Sequence, residues 1–256
     1  MSVQRRIERA VQQGERAAVL TVIGGDTAPE GERRVGAKLF VLEGGAEVLG
    51  DGPRSLVPLA DGLIRAEKNY VLDHEGLKVF VEIVAPPPRL VVFGAVDTAE
   101  AMCAMAKQLG WRTIVADARA KFATAERMPS ADEIVIAWPE EAIAQIAPDH
   151  QTAVVVLTHD EKFDLPAILG ALGTDAFYIG ALGSRKNQEK RRVRLLEAGV
   201  AEEQLARISG PCGLDIGADS QPETALSILA EALAVRAGRD GGRLQVSRGR
   251  IHVGVE

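Results

Sequence analysis

Two loops carry most of the side chains able to bind or transfer something. Thr158-His159-Asp160 sets a hydroxyl, an imidazole that titrates near neutrality and a carboxylate side by side. Gly180-Ala181-Leu182-Gly183-Ser184-Arg185-Lys186 combines two glycines, Gly180 and Gly183, which permit close backbone approach, with a serine suited to cap a helix and two cations in its first turn. The macrodipole ordinarily favours acidic residues in that turn, so Arg185 and Lys186 beside exposed N–H groups suit a bound phosphate or similar anion. The bland alternative is a solvated basic face made of Arg185, Lys186, Lys190, Arg191, Arg192 and Arg194.

Other candidates are less pointed. Gly94-Ala95-Val96-Asp97-Thr98-Ala99 stands where a G-x-G-x-x-G/A dinucleotide turn would lie. Gly94 and Ala99 fit it, but Val96 occupies the position at which backbone must approach a pyrophosphate, and Asp97 adds a carboxylate there. Asp117 has about the spacing of a ribose-holding acid. NAD(P) is therefore disfavoured, and a nucleotide-like ligand stays open. His159 either orients or protonates a ligand oxygen or is a hydrogen-bonded structural residue; no second group is spaced with it as a catalytic partner, and no catalytic residue is assigned. His74, His150 and His252 are isolated, and Asp160, Glu161 and Asp164 lack an established metal spacing, so no metal is expected. The Gly-rich loop Gly210–Gly217, with Asp215, is expected to reach over the ligand, Cys212 to fill a tight turn in it, and Cys103 to lie in the core.

The elements that must position these groups read as strand, loop and helix in alternation. Strands are expected at Leu90–Phe93, Thr113–Ala116, Glu133–Ala137, Ala153–Leu157 and Ala176–Ile179. Helices should start at the D-x-x-E pair Asp97 and Glu100, with Met102, Met105, Ala106 and Leu109 inward, and recur at Glu140–Ile146, Leu165–Leu172 and Ser184–Ala198. A last helix opens at the capping box of Ser220 and Glu223 and stops near Gly238. Continuous apolar strands covered on both faces imply a doubly wound parallel sheet in the order 3-2-1-4-5, with ligands at the carboxyl ends of its strands.

Ahead of it stands a smaller α+β domain. It should comprise a helix over 3–13 with Val3, Ile7, Ala10 and Val11 on one stripe, strands at Ala17–Ile23, Gly36–Leu42 and Leu77–Val84, and a helix over Arg54–Lys68. Pro86-Pro87-Pro88 reads as a connector, dividing the chain into residues 1–85, a linker at 86–89, a domain over 90–238 and a tail at 239–256. In the tail, Leu244–Val246 and Ile251–Val255 suggest a small hairpin.

At 256 residues the chain can bury two cores. Its net charge of −6 and 4% aromatic content argue against a nucleic-acid partner. No apolar run reaches membrane-spanning length and no basic segment precedes one, so a cytoplasmic location is expected. Two cysteines do not make a disulfide framework.

Several stretches together resemble one family. Leu109-Gly110-Trp111-Arg112, Ala131-Asp132, Thr152–Asp160, Tyr178–Lys186, Gly213–Ala218 and Ser227–Glu231 follow, in order, the Rossmann-like domain of the XdhC/CoxI proteins, the xanthine dehydrogenase accessory family. Gly36–Val41 resembles that family's smaller N-terminal module. The resemblance implies a maturation factor, more an accessory protein than an enzyme. It would bind the molybdenum cofactor, help it acquire sulfur from a cysteine desulfurase and deliver it to a molybdenum hydroxylase client; a homodimer is expected. Two segments depart from the family's pattern: Val96 and Asp97 replace the glycine and histidine of its first turn, and Gly50-Asp51-Gly52-Pro53-Arg54-Ser55 stands where the family has a Gly-rich segment followed by an acid. On the residues alone a nicotinamide-dependent oxidoreductase and a ligand-free scaffold remain as rivals.

Overall fold

The computed structural model describes residues 2–25, 31–66, 68–158 and 160–247. One unit ends at Pro86 and the other spans Pro87–Ser247. In the first, chain order is α1 (Val3–Gln13), β1 (Ala17–Gly25), β2 (Lys38–Leu42), β3 (Val48–Gly50), α2 (Ala60–Ala66), β4 (Tyr70–His74) and β5 (Leu77–Val84). The strands form an antiparallel sheet in the order β3-β2-β1-β5-β4. Alternation along β1 sends Ala18, Leu20 and Val22 into a core with Leu63 and Ile64 of α2, and Ala17 and Val19 into another with Ala10 of α1 and Phe40.

Two expectations change here. Val11 is exposed, so the buried stripe of α1 ends at Ala10. The helix expected over 54–68 opens as a 3-10 turn, Arg54–Leu59, because Pro58 has no N–H to give the carbonyl one α-turn back; α-helix begins only at Ala60. The Gly50–Ser55 segment holds a turn together: Asp51 accepts the Lys38 N–H at 3.0 Å and pairs with Arg34, and that backbone hydrogen bond above all holds its carboxyl below the usual range.

The second unit runs β6 (Arg89–Phe93), α3 (Asp97–Gln108), β7 (Arg112–Ala116), β8 (Glu133–Val135), α4 (Pro139–Ile146), β9 (Thr152–Val156), α5 (Glu161–Leu172), β10 (Tyr178–Ala181), α6 (Arg185–Glu197), α7 (Glu202–Leu205), β11 (Ile208–Ser209) and α8 (Gln221–Arg236). Its six parallel strands lie in the order β8-β7-β6-β9-β10-β11, the expected 3-2-1-4-5 with one strand added. Successive residues of each strand face opposite cores. Leu90 and Val92 pack with Met102 and Cys103 of α3 and Ile228 and Leu229 of α8, while Val91 and Phe93 pack with Ala142 of α4, Ile168 of α5 and Leu195 of α6. This is the doubly wound α/β sheet, and both-sided burial is why its strands read as unbroken apolar runs.

Local details differ from the sequence reading. The D-x-x-E pair does not cap α3: Val96 is its N-cap, Asp97 its first residue, and Glu100 accepts the Ser130 N–H. Leu109 is exposed. The fifth strand sits two residues later than expected, so Gly180 and Ala181 belong to β10 rather than to the loop beyond it. In the tail, 244–246 forms a turn, and the second arm of the expected hairpin lies outside the described residues.

Candidate functional site

Register brings the strand ends level. Val135, Ala116, Phe93, Val156 and Ala181 pair in one row across the sheet, so the loops that follow share one edge. The strand order reverses between β6 and β9, and there a cleft of about 640 Å³ is lined by Val96, Arg119, Leu157, Thr158, Asp160, Glu161 and Lys162. Against Thr158, Gly94 (φ +111°) makes the turn out of β6, and a Cβ at this position would lie 2.9 Å from Thr158 Cγ2, so no larger residue fits. Thr158 is buried and Asp160 is exposed, its carboxylate accepting the Lys162 N–H at 3.2 Å as the cap of α5. His159 lies outside the described residues.

Asp117 does not present itself to a ribose. One carboxylate oxygen accepts the Ala95 N–H at 3.0 Å and an Arg119 terminal N–H at 2.7 Å; the other accepts the Arg119 Nε–H and backbone N–H, both at 2.9 Å. Burial alone would raise this carboxyl, but the hydrogen bonds from Arg119 and Ala95 outweigh it and hold it below the ordinary carboxylate range. Arg119 itself lines the cleft and was not singled out from the sequence. Its signal was the Asp-x-Arg spacing immediately past a buried strand.

The basic run of α6 divides. Arg191, only 10% exposed, donates to Asp164 at 2.8 Å and to the Leu182 carbonyl at 3.2 Å, and also bonds Gln188, whose amide donates to the Ala181 carbonyl at 2.9 Å. The Thr158 hydroxyl donates to the same Asp164. One network thus ties the ends of β9 and β10 to α5 and α6. Arg192 pairs with Glu202 and Arg194 with Glu161. Arg185 and Lys186 remain exposed beside Ser184, whose hydroxyl accepts the Asn187 N–H at 3.3 Å. Gly183 (φ +141°) turns the chain into α6. Arg185 lines a separate groove of about 290 Å³ with Gln188, Leu205, Ile208 and Pro211.

Gly180 serves packing: a Cβ on it would come within 2.7 Å of the Tyr178 ring, which lies on the same strand face and donates its hydroxyl to Glu231 of α8. The Gly210–Gly217 loop is fastened to that helix too. Gly213 N–H donates to Glu231 at 2.7 Å, and Leu214 and Ser227 exchange hydrogen bonds. Asp215 is exposed and is not among the residues lining either cleft. Cys212 packs on the core; burial, reinforced by the Glu231 carboxylate, pushes its thiol up to about 12.

The candidate residues therefore fall into two groups. Thr158 and Asp160 line the switch-point cleft, while Gly94 and Asp117 line a smaller cavity that shares Thr158 with it. Gly183, Ser184, Arg185 and Lys186 gather at the tip of α6. Among the described residues no group of three His, Cys, Asp or Glu side chains is placed to hold a metal, and no helix is long and apolar enough to cross a membrane.

Comparison with known proteins adds identity to this geometry. A probable xanthine dehydrogenase subunit of Bacillus subtilis strain 168 is 31% identical over 200 residues, 77% of this chain and 57% of that protein. The molybdenum cofactor insertion chaperone PaoD of Escherichia coli K12 is 38% identical over 125 residues, 49% of this chain and 38% of that protein. The chain thus spans well under two thirds of the length of these curated relatives. A solved xanthine dehydrogenase structure from Bacillus halodurans shares the fold, with a TM-score of 0.69 and 24% identity over 91% of this chain and 66% of that one. The XdhC Rossmann domain family matches residues 90–232, more than half of the sequence, and the chain belongs to that family.

Proposed function

We propose that this chain is a maturation factor for a molybdenum hydroxylase. It binds the molybdenum cofactor as cargo, shields it, presents it to a cysteine desulfurase for sulfuration, and hands it as a homodimer to a client such as a xanthine dehydrogenase or a carbon monoxide dehydrogenase-like enzyme. The observation that carries this reading is the 38% identity to a protein named a molybdenum cofactor insertion chaperone. The donor chemistry fits such a cargo. Molybdopterin bears a phosphate, and the switch-point cleft, within the size range of small-molecule sites, offers Arg119 and Lys162. Ser184, Arg185 and Lys186 offer further donors at the tip of α6. A carrier needs donors and shape rather than an activated nucleophile, and Asp117, the residue best spaced for a nicotinamide cofactor's ribose, is already bonded by Arg119 and Ala95.

The test has two parts. Titration of the purified protein with molybdopterin, followed by pterin fluorescence, should show saturable binding, and the loaded protein should restore activity to a cofactor-free hydroxylase. NADH and NADPH serve as competitors for the same preparation. Hydride transfer from either one, without molybdopterin binding, would falsify the carrier reading.

A further inference from the structure

The guanidinium of Arg119 is held from several directions before any ligand arrives. Two of its nitrogens grip Asp117, whose side chain is 2% exposed, at 2.9 and 2.7 Å. The Phe122 ring centre lies 4.6 Å from its central carbon and that of Phe163 5.4 Å, and Phe163 stacks on Trp138 at 4.9 Å. A fork fixed in this way has little rotamer entropy left to lose when it binds. Yet it is not used up. A guanidinium has five N–H donors, and this side chain keeps 36% of its surface exposed and forms part of the switch-point wall.

The rest of that wall narrows what the fork can meet. Lys162 lines the same cleft. Of the two acids there, Glu161 pairs with Arg194 on α6, and Asp160 caps α5 by accepting the Lys162 N–H. Among the described residues of the wall, Arg119 and Lys162 are the cations, and the exposed Asp160 carboxylate, whose charge acts on Arg119, is the acid without a cationic side-chain partner in an ion pair there. Val96 occupies the place where a glycine would let backbone approach a diphosphate, so donors for such a group must come from side chains.

We propose that Arg119, aligned by Asp117 and assisted by Lys162, is the phosphate-binding residue of the switch-point cleft, and that the group it takes is a phosphate monoester or diphosphate on a small molecule. This deepens the carrier reading and rests on it only for the identity of that molecule. The phosphate of molybdopterin and that of a nucleotide share the chemistry: pyrophosphate reads the shared group, and Arg119-dependent binding of molybdopterin, or its absence, tells the two sources apart.

Isothermal titration of the intact chain with inorganic pyrophosphate supplies the first arm and molybdopterin fluorescence the second. Arg119→Lys keeps the charge, but one ammonium cannot hold both oxygens of Asp117 and still present a fork. Pyrophosphate affinity should fall at least about tenfold in Arg119→Lys and roughly threefold in Lys162→Ala, whose exposed side chain can be removed without disturbing the core. Absence of pyrophosphate binding by the wild type, or unchanged affinity in both variants, overturns the assignment. If Arg119→Lys does not fold, Lys162→Ala decides alone, and unchanged affinity there overturns it. Pyrophosphate binding that depends on Arg119 without any molybdopterin binding keeps the site and sinks the carrier reading. Molybdopterin binding indifferent to both substitutions keeps the carrier reading and sinks the site.

Discussion

At the carboxyl end of β7 two opposing forces act on one carboxyl group. Burial would raise the pKa of Asp117, and the hydrogen bonds from Arg119 and the Ala95 N–H lower it by more, so the folded value lies below the unfolded one. A group depressed in this way contributes stability that is present above its unfolded pKa, about 3.9, and is lost as pH falls through the folded value. Asp117→Asn should therefore cost about 1–3 kcal/mol near neutrality, and its melting-temperature deficit against the wild type should shrink below about pH 4. A deficit that stays constant from pH 7 to pH 3 would mean the carboxylate charge contributes nothing. The cysteines follow the other sign. Burial, with Glu231 near Cys212 and Glu100 near Cys103, lifts both thiols to about 12, so at pH 8 roughly one in ten thousand is thiolate. Iodoacetamide should alkylate the native protein at least about a hundredfold more slowly than the urea-unfolded chain; rapid single-site labelling of the native protein would contradict this. Neither Asp117's partner nor the role of Gly180 was apparent in the sequence. Gly180 looked like a loop glycine, and only the position of the Tyr178 ring, two residues earlier on the same strand face, shows that it makes room for an aromatic side chain.

Among elements, α6 shows most plainly how a charge run hides its division of labour. Six basic residues between Arg185 and Arg194 look alike in sequence, but α5 crosses near enough to set Asp164 against Arg191 while leaving Arg185 and Lys186 in solvent. A tertiary crossing decides which arginine becomes a strut, and no local pattern records it. Removing Arg191 strands Asp164, itself 12% exposed, and Thr158 beside it, so Arg191→Ala should destabilise by about 3 kcal/mol. Arg185→Ala with Lys186→Ala should stay within about 0.5 kcal/mol while weakening anion binding at the α6 tip. Equal denaturant midpoints for the two variants would remove the distinction. Features that are local were legible by contrast. The capping box at Ser220 and Glu223 forms as the spacing predicts, with Glu223 accepting the Ser220 N–H at 2.9 Å. The same reasoning failed at Asp97 and Glu100 because the structure puts Val96 at the cap and turns Glu100 toward Ser130. Short elements such as β3, β11 and α7 passed unnoticed; a two-residue strand is defined by the edge it joins rather than by its own residues.

For the whole molecule, the six-stranded sheet could be anticipated because strand and helix alternate along the chain and both strand faces are apolar, two signals that survive in sequence. The site was legible only in outline. Thr158 and Asp160 do reach the cleft, but Gly94 lines a smaller cavity beside Thr158, Gly183 to Lys186 stand one strand further along, and the place of Arg119 in the wall emerges only when the strand ends are aligned. A cargo that binds this native arrangement and not the unfolded chain must stabilise it by mass action. At a free concentration about a hundred times Kd that gain is about 2.7 kcal/mol, and for a protein of this size each kcal/mol moves the midpoint by about 2–4 °C. Molybdopterin should accordingly raise by about 5–10 °C the melting transition that includes the Pro87–Ser247 unit, and Arg119→Lys should lose most of that rise while its unliganded midpoint drops by less. NADH or NADPH at equal excess should leave the transition in place. An upward shift produced by the nicotinamides instead would assign the sheet's carboxyl edge to a dinucleotide, with the Arg119 fork taking the phosphate of that ligand.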